Sequence, residues 1–139
     1  MTAALSPYIH LTGGRAREAL TFYQGVFGGE VTSMTFAEMG GMGMPEDEQL
    51  LVMHGQLDAE GILLMVADTP SVMGQAVPAG FSVALSGDDD TVLRGWWAGL
   101  SEGATIQEEL TVAPWGDGFG MLQDRFGTPW MVNISGAQQ

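Results

Sequence analysis

The chain has 139 residues, enough for one domain with a sizeable core, and its 45% hydrophobic content argues against disorder. Seventeen acidic residues face four arginines and no lysine, a formal net charge of −13, so nucleic acid and anionic membranes are repelled and lysine Schiff-base chemistry is excluded. With no cysteine there are no disulfides, thiolate nucleophiles or cysteine-ligated metals.

The opening stretch, "MTAALSPYIHL", has no basic region and no long apolar region, which makes it a poor signal peptide. No apolar run approaches the ~18 residues that span a bilayer, so a cytoplasmic protein is expected. "LSPYIHL" reads as a strand. Ala16, Leu20, Tyr23 and Phe27 then recur at helical spacing, and Gly28 and Gly29 stop the helix as a left-handed cap would. "EVTSMTF" is a second strand. The glycine-rich piece from Glu38 to Glu48 is too irregular for a regular element and is expected to be mobile. Its methionines suit either ligand lining or cover for a sheet edge. "QLLVMHGQL" and "ILLMVAD" flank the turn "DAEG" as a hairpin.

The same order of elements returns. "GFSVALS" is a strand, Asp88 to Asp90 supply helix-capping groups, and Leu93, Trp96, Trp97 and Leu100 form an apolar face that Gly103 ends. Leu93, Trp96, Leu100 and Phe81 correspond to Leu20, Tyr23, Phe27 and Tyr8 at one constant offset, which marks an internal repeat. "ATIQEELTV", "GFGMLQD" and "TPWMVNI" complete the second half as strands. Two modules follow, at about 5–68 and 80–135, joined by a linker at 69–79 that contains two prolines and a glycine. No glycine-rich strand-to-helix turn of the dinucleotide or S-adenosylmethionine type is present.

This pattern resembles the vicinal oxygen chelate superfamily of glyoxalases, bleomycin-resistance proteins and extradiol dioxygenases. Within it, "PYIHLTGGRAREALTFYQGVFGGEV", "HGQLDAEGILLMVAD" and "PWGDGFGMLQDRFGTPWMVNI" are similar to the PhnB-like, demethylubiquinone methyltransferase-like branch. The resemblance implies an α+β fold of two βαβββ modules forming a curved mixed sheet around a cup, and a homodimer. It also implies four metal-ligand positions, two per half. Counted from "LTFYQGVFGG", these fall on Tyr8, Met65, Ser82 and Met131, where the family's metal-dependent members have histidine, glutamate or glutamine. A phenol, a hydroxyl and two thioethers are poor donors for zinc, nickel, iron or manganese. No metal or other cofactor is therefore expected.

The two histidines are the remaining candidates. His10 shares a strand face with Tyr8. If Leu57 pairs with Ile62, His54 pairs with Met65 and faces the same way. The pair either forms a substitute metal site with Glu38, or a general base and its partner, or is hydrogen-bonded to backbone or tyrosine at the cup floor. The last is favoured because spacing forces no third ligand.

In the C-terminal stretch, Gly127 and Asp124 form a turn and Pro129 begins the final strand. Trp130 and Val132 would face one way, Met131 and Asn133 the other. Pro114, Gly116, Gly118 and Gly120 are expected to break the ladder ahead of the last hairpin. There Trp115 and Phe119 either line the pocket or cap the neighbouring sheet.

The reading that follows is a PhnB-like protein binding a small apolar or aromatic molecule, with Tyr8, His10, His54, Met65, Ser82, Trp115, Phe119 and Met131 as contacts. The alternatives are a metal-dependent lyase, isomerase or dioxygenase using His10 and His54 with a divalent metal, or a vestigial cup on a protein that acts by association.

Overall fold

Strand, helix and three strands, the order read from the sequence, occur twice in the computed structural model, which describes residues 5–41, 43–70 and 80–136. The chain divides into two units, Met1–Val77 and Pro78–Gln139. Of the expected linker, residues 71–79 lie outside the described residues.

The first unit contains β1 (Tyr8–Leu11), α1 (Ala16–Phe27), β2 (Glu30–Thr35), β3 (Val52–Ala59) and β4 (Ile62–Asp68). Its sheet runs β1-β4-β3-β2, with β1 parallel to β4 and the other pairs antiparallel. Helix α1 buries Ala16, Ala19, Leu20 and Tyr23, and the strands bury Ile9, Leu11, Leu57, Leu64 and Val66. Gly55 makes the close packing possible: a β-carbon there would strike Leu20 and lie 2.8 Å from the Val66 carbonyl.

No side chain of its own caps α1. Instead the buried carboxylate of Asp68, at the end of β4, accepts from Ala16 N–H and Val52 N–H, both at 2.8 Å. An anion at a helix N-terminus satisfies orphan donors and opposes the dipole. At the other end Gly28 has the positive φ expected, 76°, but its ψ of −163° is extended rather than left-handed helical. The chain thus leaves the helix straight into β2 through a conformation open to glycine.

The β3–β4 hairpin turns on Glu60 and Gly61 alone, because Ala59 already pairs with Ile62. Leu57 therefore lies opposite Leu64, and Gln56, not His54, lies opposite Met65. The shift from the expected register is two residues, so each side chain keeps its face. Between β2 and β3 the chain forms two short 3-10 turns, Ala37–Met39 and Glu46–Glu48. They are held by Gln49 Nε2 donating to Met44 O at 2.7 Å, and by Glu38 Oε1 accepting from Thr35 N–H at 2.8 Å.

The second unit contains β5 (Val83–Gly87), α2 (Asp90–Leu100), β6 (Thr105–Val112), β7 (Gly118–Gln123) and β8 (Pro129–Ile134), in sheet order β5-β8-β7-β6. The core holds Leu85, Leu93, Leu100, Leu122, Trp130, Val132 and Ile134. Asp89 caps α2, its Oδ1 accepting from Val92 N–H at 3.2 Å. Asp124 and Gly127 (φ 92°) form the β7–β8 turn as expected. Asp124 is buried and accepts from Phe126 N–H, Thr128 N–H and the Trp130 indole.

Two expectations need correction here. Gly118 and Gly120 do not break the ladder; they are paired within β7, opposite Ile134 and Val132. A β-carbon on Gly120 would lie 2.8 Å from Trp97 Cη2, so this glycine admits the Trp97 ring instead. The constant offset also fails at the first strand. Thr69 N–H bonds Leu11 O and Ser135 N–H bonds Gly87 O at matching ends of the parallel pairs, so Leu11 corresponds to Gly87. The connection from there to the helix is shorter in the second half. Phe81 is consequently no counterpart of Tyr8, and both Phe81 and Ser82 precede β5.

Candidate functional site

In the first unit, strand alternation turns Tyr8, His10, Met65 and Ala67 away from α1, and pairing adds Gln56, His54 and Met34 to the same face. Tyr8 and Met34 are 41% and 42% exposed. Tyr8 and His10, two residues apart on β1, stack with centroids 4.4 Å apart and planes at 29°. The Tyr8 hydroxyl lies 3.1 Å from His54 Nδ1, and the two rings meet edge to face at 5.5 Å. That contact links β1 to β3 across the intervening β4. Ala67, opposite His10 on β4, is small enough to leave the rings room. Burial pushes the Tyr8 phenol pKa up, favouring its protonated form.

In the second unit the face turned from α2 carries Ala84, Met131, Met121, Asn133 and Phe119. Trp115, 63% exposed in the β6–β7 turn, meets the Phe119 ring edge to face at 5.8 Å. The turn is closed by Ala113 N–H to Asp117 O at 2.7 Å. Asp117 in turn accepts from Gly136 N–H at 2.9 Å and Asn133 Nδ2 at 3.2 Å. These bonds, the backbone one first, hold its carboxyl below the usual aspartate range.

Of the expected contacts, Tyr8, His10 and His54 come together, with Met65 beside Tyr8 in the ladder. Phe119 and Trp115 come together, and Met131 shares the face of Phe119 through its pairing with Met121. Ser82 does not join them. Ala84 is the residue opposite Met131, in the place that Tyr8 takes opposite Met65. Met34, Gln56 and the Asp117–Asn133 bond were not foreseen. Alternation along "EVTSMTF" is enough to put Met34 on one face of its strand, but its place against His54 depends on pairing.

The donor sets do not suit a divalent metal. With Ala84 in place of Ser82, the four ladder positions offer a phenol, two thioethers and a methyl. Glu38, the third ligand considered for the histidines, is engaged with Thr35 N–H and Oγ1. Among the described residues no group of three or more His, Asp or Glu side chains could hold a metal ion. Nor is any described helix long and apolar enough to cross a membrane.

Comparison with known proteins bears on the fold and its family. Residues 6–132 match the model of the Glyoxalase/Bleomycin resistance protein/Dioxygenase superfamily. Protein YjdN of Escherichia coli (strain K12) is 28% identical, over 94% of each chain. The crystal structure of protein PA1353 from Pseudomonas aeruginosa superposes with a TM-score of 0.82 at 30% identity, covering 96% of this chain and 98% of that one. A structure from Bacillus cereus titled as a putative 3-demethylubiquinone-9 3-methyltransferase, PhnB protein, gives 0.70 at 20% identity, over 96% and 100% of the two chains, and shows the shared fold. The repeated βαβββ order, the two mixed sheets and the match along nearly the whole length agree: the chain belongs to the glyoxalase/bleomycin resistance protein/dioxygenase superfamily.

Proposed function

We propose that this protein binds a small apolar or aromatic molecule without a metal, and that Tyr8, His10 and His54 supply the polar part of the recognition. The observation carrying this reading is the ring cluster itself. A water-facing sheet surface ordinarily bears charged and hydroxyl side chains. This one bears a tyrosine stacked on a histidine, a second histidine bonded to the first ring, and the thioethers of Met34 and Met65. Stacked rings and thioethers give contact area with few rotors to freeze, and imidazoles give direction. The second unit carries an apolar set of its own, Met131, Phe119 and Trp115. Such a site can sequester or sense its ligand without transforming it.

The test is a melting-temperature screen of the untagged, dialysed protein against uncharged aromatic compounds, with bound transition metal measured on the same sample. The reading expects less than a tenth of an equivalent of metal, no stabilisation by zinc, nickel, manganese or iron, and stabilisation by a subset of the aromatics. Stoichiometric metal, or no aromatic shifting the melting temperature, refutes it.

A further inference from the structure

The Tyr8–His54 bond narrows the ligand class, given the binding role proposed above. A neutral phenol is a far stronger acid than a neutral imidazole N–H, so of the two directions open to the 3.1 Å contact between the Tyr8 hydroxyl and His54 Nδ1, donation by the hydroxyl is the favoured one. In that arrangement the histidine proton resides on Nε2, because the hydrogen bond at one ring nitrogen sets the role of the other. His54 is thereby left with a single outward donor. Tyr8 is stacked on His10, which keeps the phenol ring oriented toward β3. The surrounding strands carry thioethers, rings and the Gln56 amide, whose N–H₂ donates to Asp58, but no arginine. The four arginines lie just before α1, within α1, within α2 and in the β7–β8 turn, and the chain has no lysine. A net charge of −13 further disfavours an anionic ligand.

We propose that Tyr8 holds His54 as the Nε2–H tautomer, and that His54 donates this proton to the carbonyl oxygen of a planar, uncharged aromatic ligand lying against the Tyr8–His10 stack. Tyr8 is a positioning residue, acting through His54, and His54 is the contact residue. A site built to donate one hydrogen bond discriminates strongly against an analogue lacking the acceptor, because its own donor is then left unpaired.

The experiment compares 9-fluorenone with fluorene, which share a ring skeleton and differ by the carbonyl, in titrations of the full chain near neutral pH. Wild type should bind fluorenone about tenfold more tightly, the ratio that ~1.4 kcal/mol for one hydrogen bond produces. His54→Phe should erase the ratio by weakening fluorenone binding about tenfold more than fluorene binding. Tyr8→Phe should shrink the ratio and shift the His54 ring nitrogens in 15N NMR toward a mixture of tautomers, a change that loss of packing alone would not produce. The wild-type 15N spectrum tests the tautomer without any variant, and a proton on Nδ1 overturns the proposal. Equal affinity of wild type for both compounds overturns it while leaving aromatic binding intact. Failure of both compounds to bind overturns the proposal together with the binding role on which it rests.

Discussion

Replacing Asp68 probes how the first unit is assembled around its ring cluster. The side chain is 5% exposed, and each carboxylate oxygen accepts one backbone N–H at 2.8 Å, from the first turn of α1 and from the start of β3. Hydrogen bonds to a charged group contribute about 1.5–3 kcal/mol each, and an unpaired buried donor costs a similar amount. Asp68→Ala removes both acceptors and should destabilise by about 3–5 kcal/mol, a large share of the ~5–15 kcal/mol typical of a domain. Asp68→Asn keeps one acceptor and turns an amide N–H₂ toward the other donor, for about 1.5–3 kcal/mol. Urea unfolding followed by far-ultraviolet circular dichroism measures both. With a slope of ~2 kcal/mol per M, the alanine variant should lose about 1.5–2.5 M in midpoint. A loss below about 1 kcal/mol for alanine, at unchanged slope, would refute the claim that this carboxylate seats the helix.

Asp124→Asn should cost about 1–3 kcal/mol in the same assay, because its amide nitrogen must face either two backbone donors or the Trp130 indole N–H; no change in midpoint argues against the network. Trp115→Ala should leave stability within about 1 kcal/mol, since the ring is 63% exposed. A large stability loss would assign Trp115 to the scaffold. Asp117 has a folded-state pKa below its unfolded one, so its contribution is present above the ordinary aspartate range near ~4 and is lost as pH falls through the lower folded value. Asp117→Asn should therefore flatten the acid limb of the stability–pH curve and leave its alkaline side unchanged. An acid limb as steep as that of the wild type contradicts the assignment.

Periodicity made the helices and the sheet faces legible from sequence. Leu20 and Tyr23 are buried, and Trp130 and Val132 are buried while Met131 is not, as their spacing implied. A period locates a face without locating a partner, and the misplacements follow from that. His54 was set against Met65 because a four-residue turn was counted where two residues suffice, and the slip by two left its face intact. Carrying the offset measured on helix residues across a connection of different length matches Phe81 to Tyr8, and Ser82, the third ligand position implied by the resemblance, lies two residues short of Ala84, the residue opposite Met131. The bond from Tyr8 to His54 spans a strand lying between them, and no local pattern encodes such a distance in the chain. Asp68 was read only as the end of a strand, since nothing near it in sequence announces the helix it serves.

The two helices are seated by different means, and the difference matters if the gene is ever cut. Asp89 immediately precedes the helix it caps, so any fragment that includes α2 and its approach brings the acceptor along. For α1 the acceptor arrives with the last residue of β4, so a truncation upstream of that point would carry the helical segment but lose the group that anchors its opening turn.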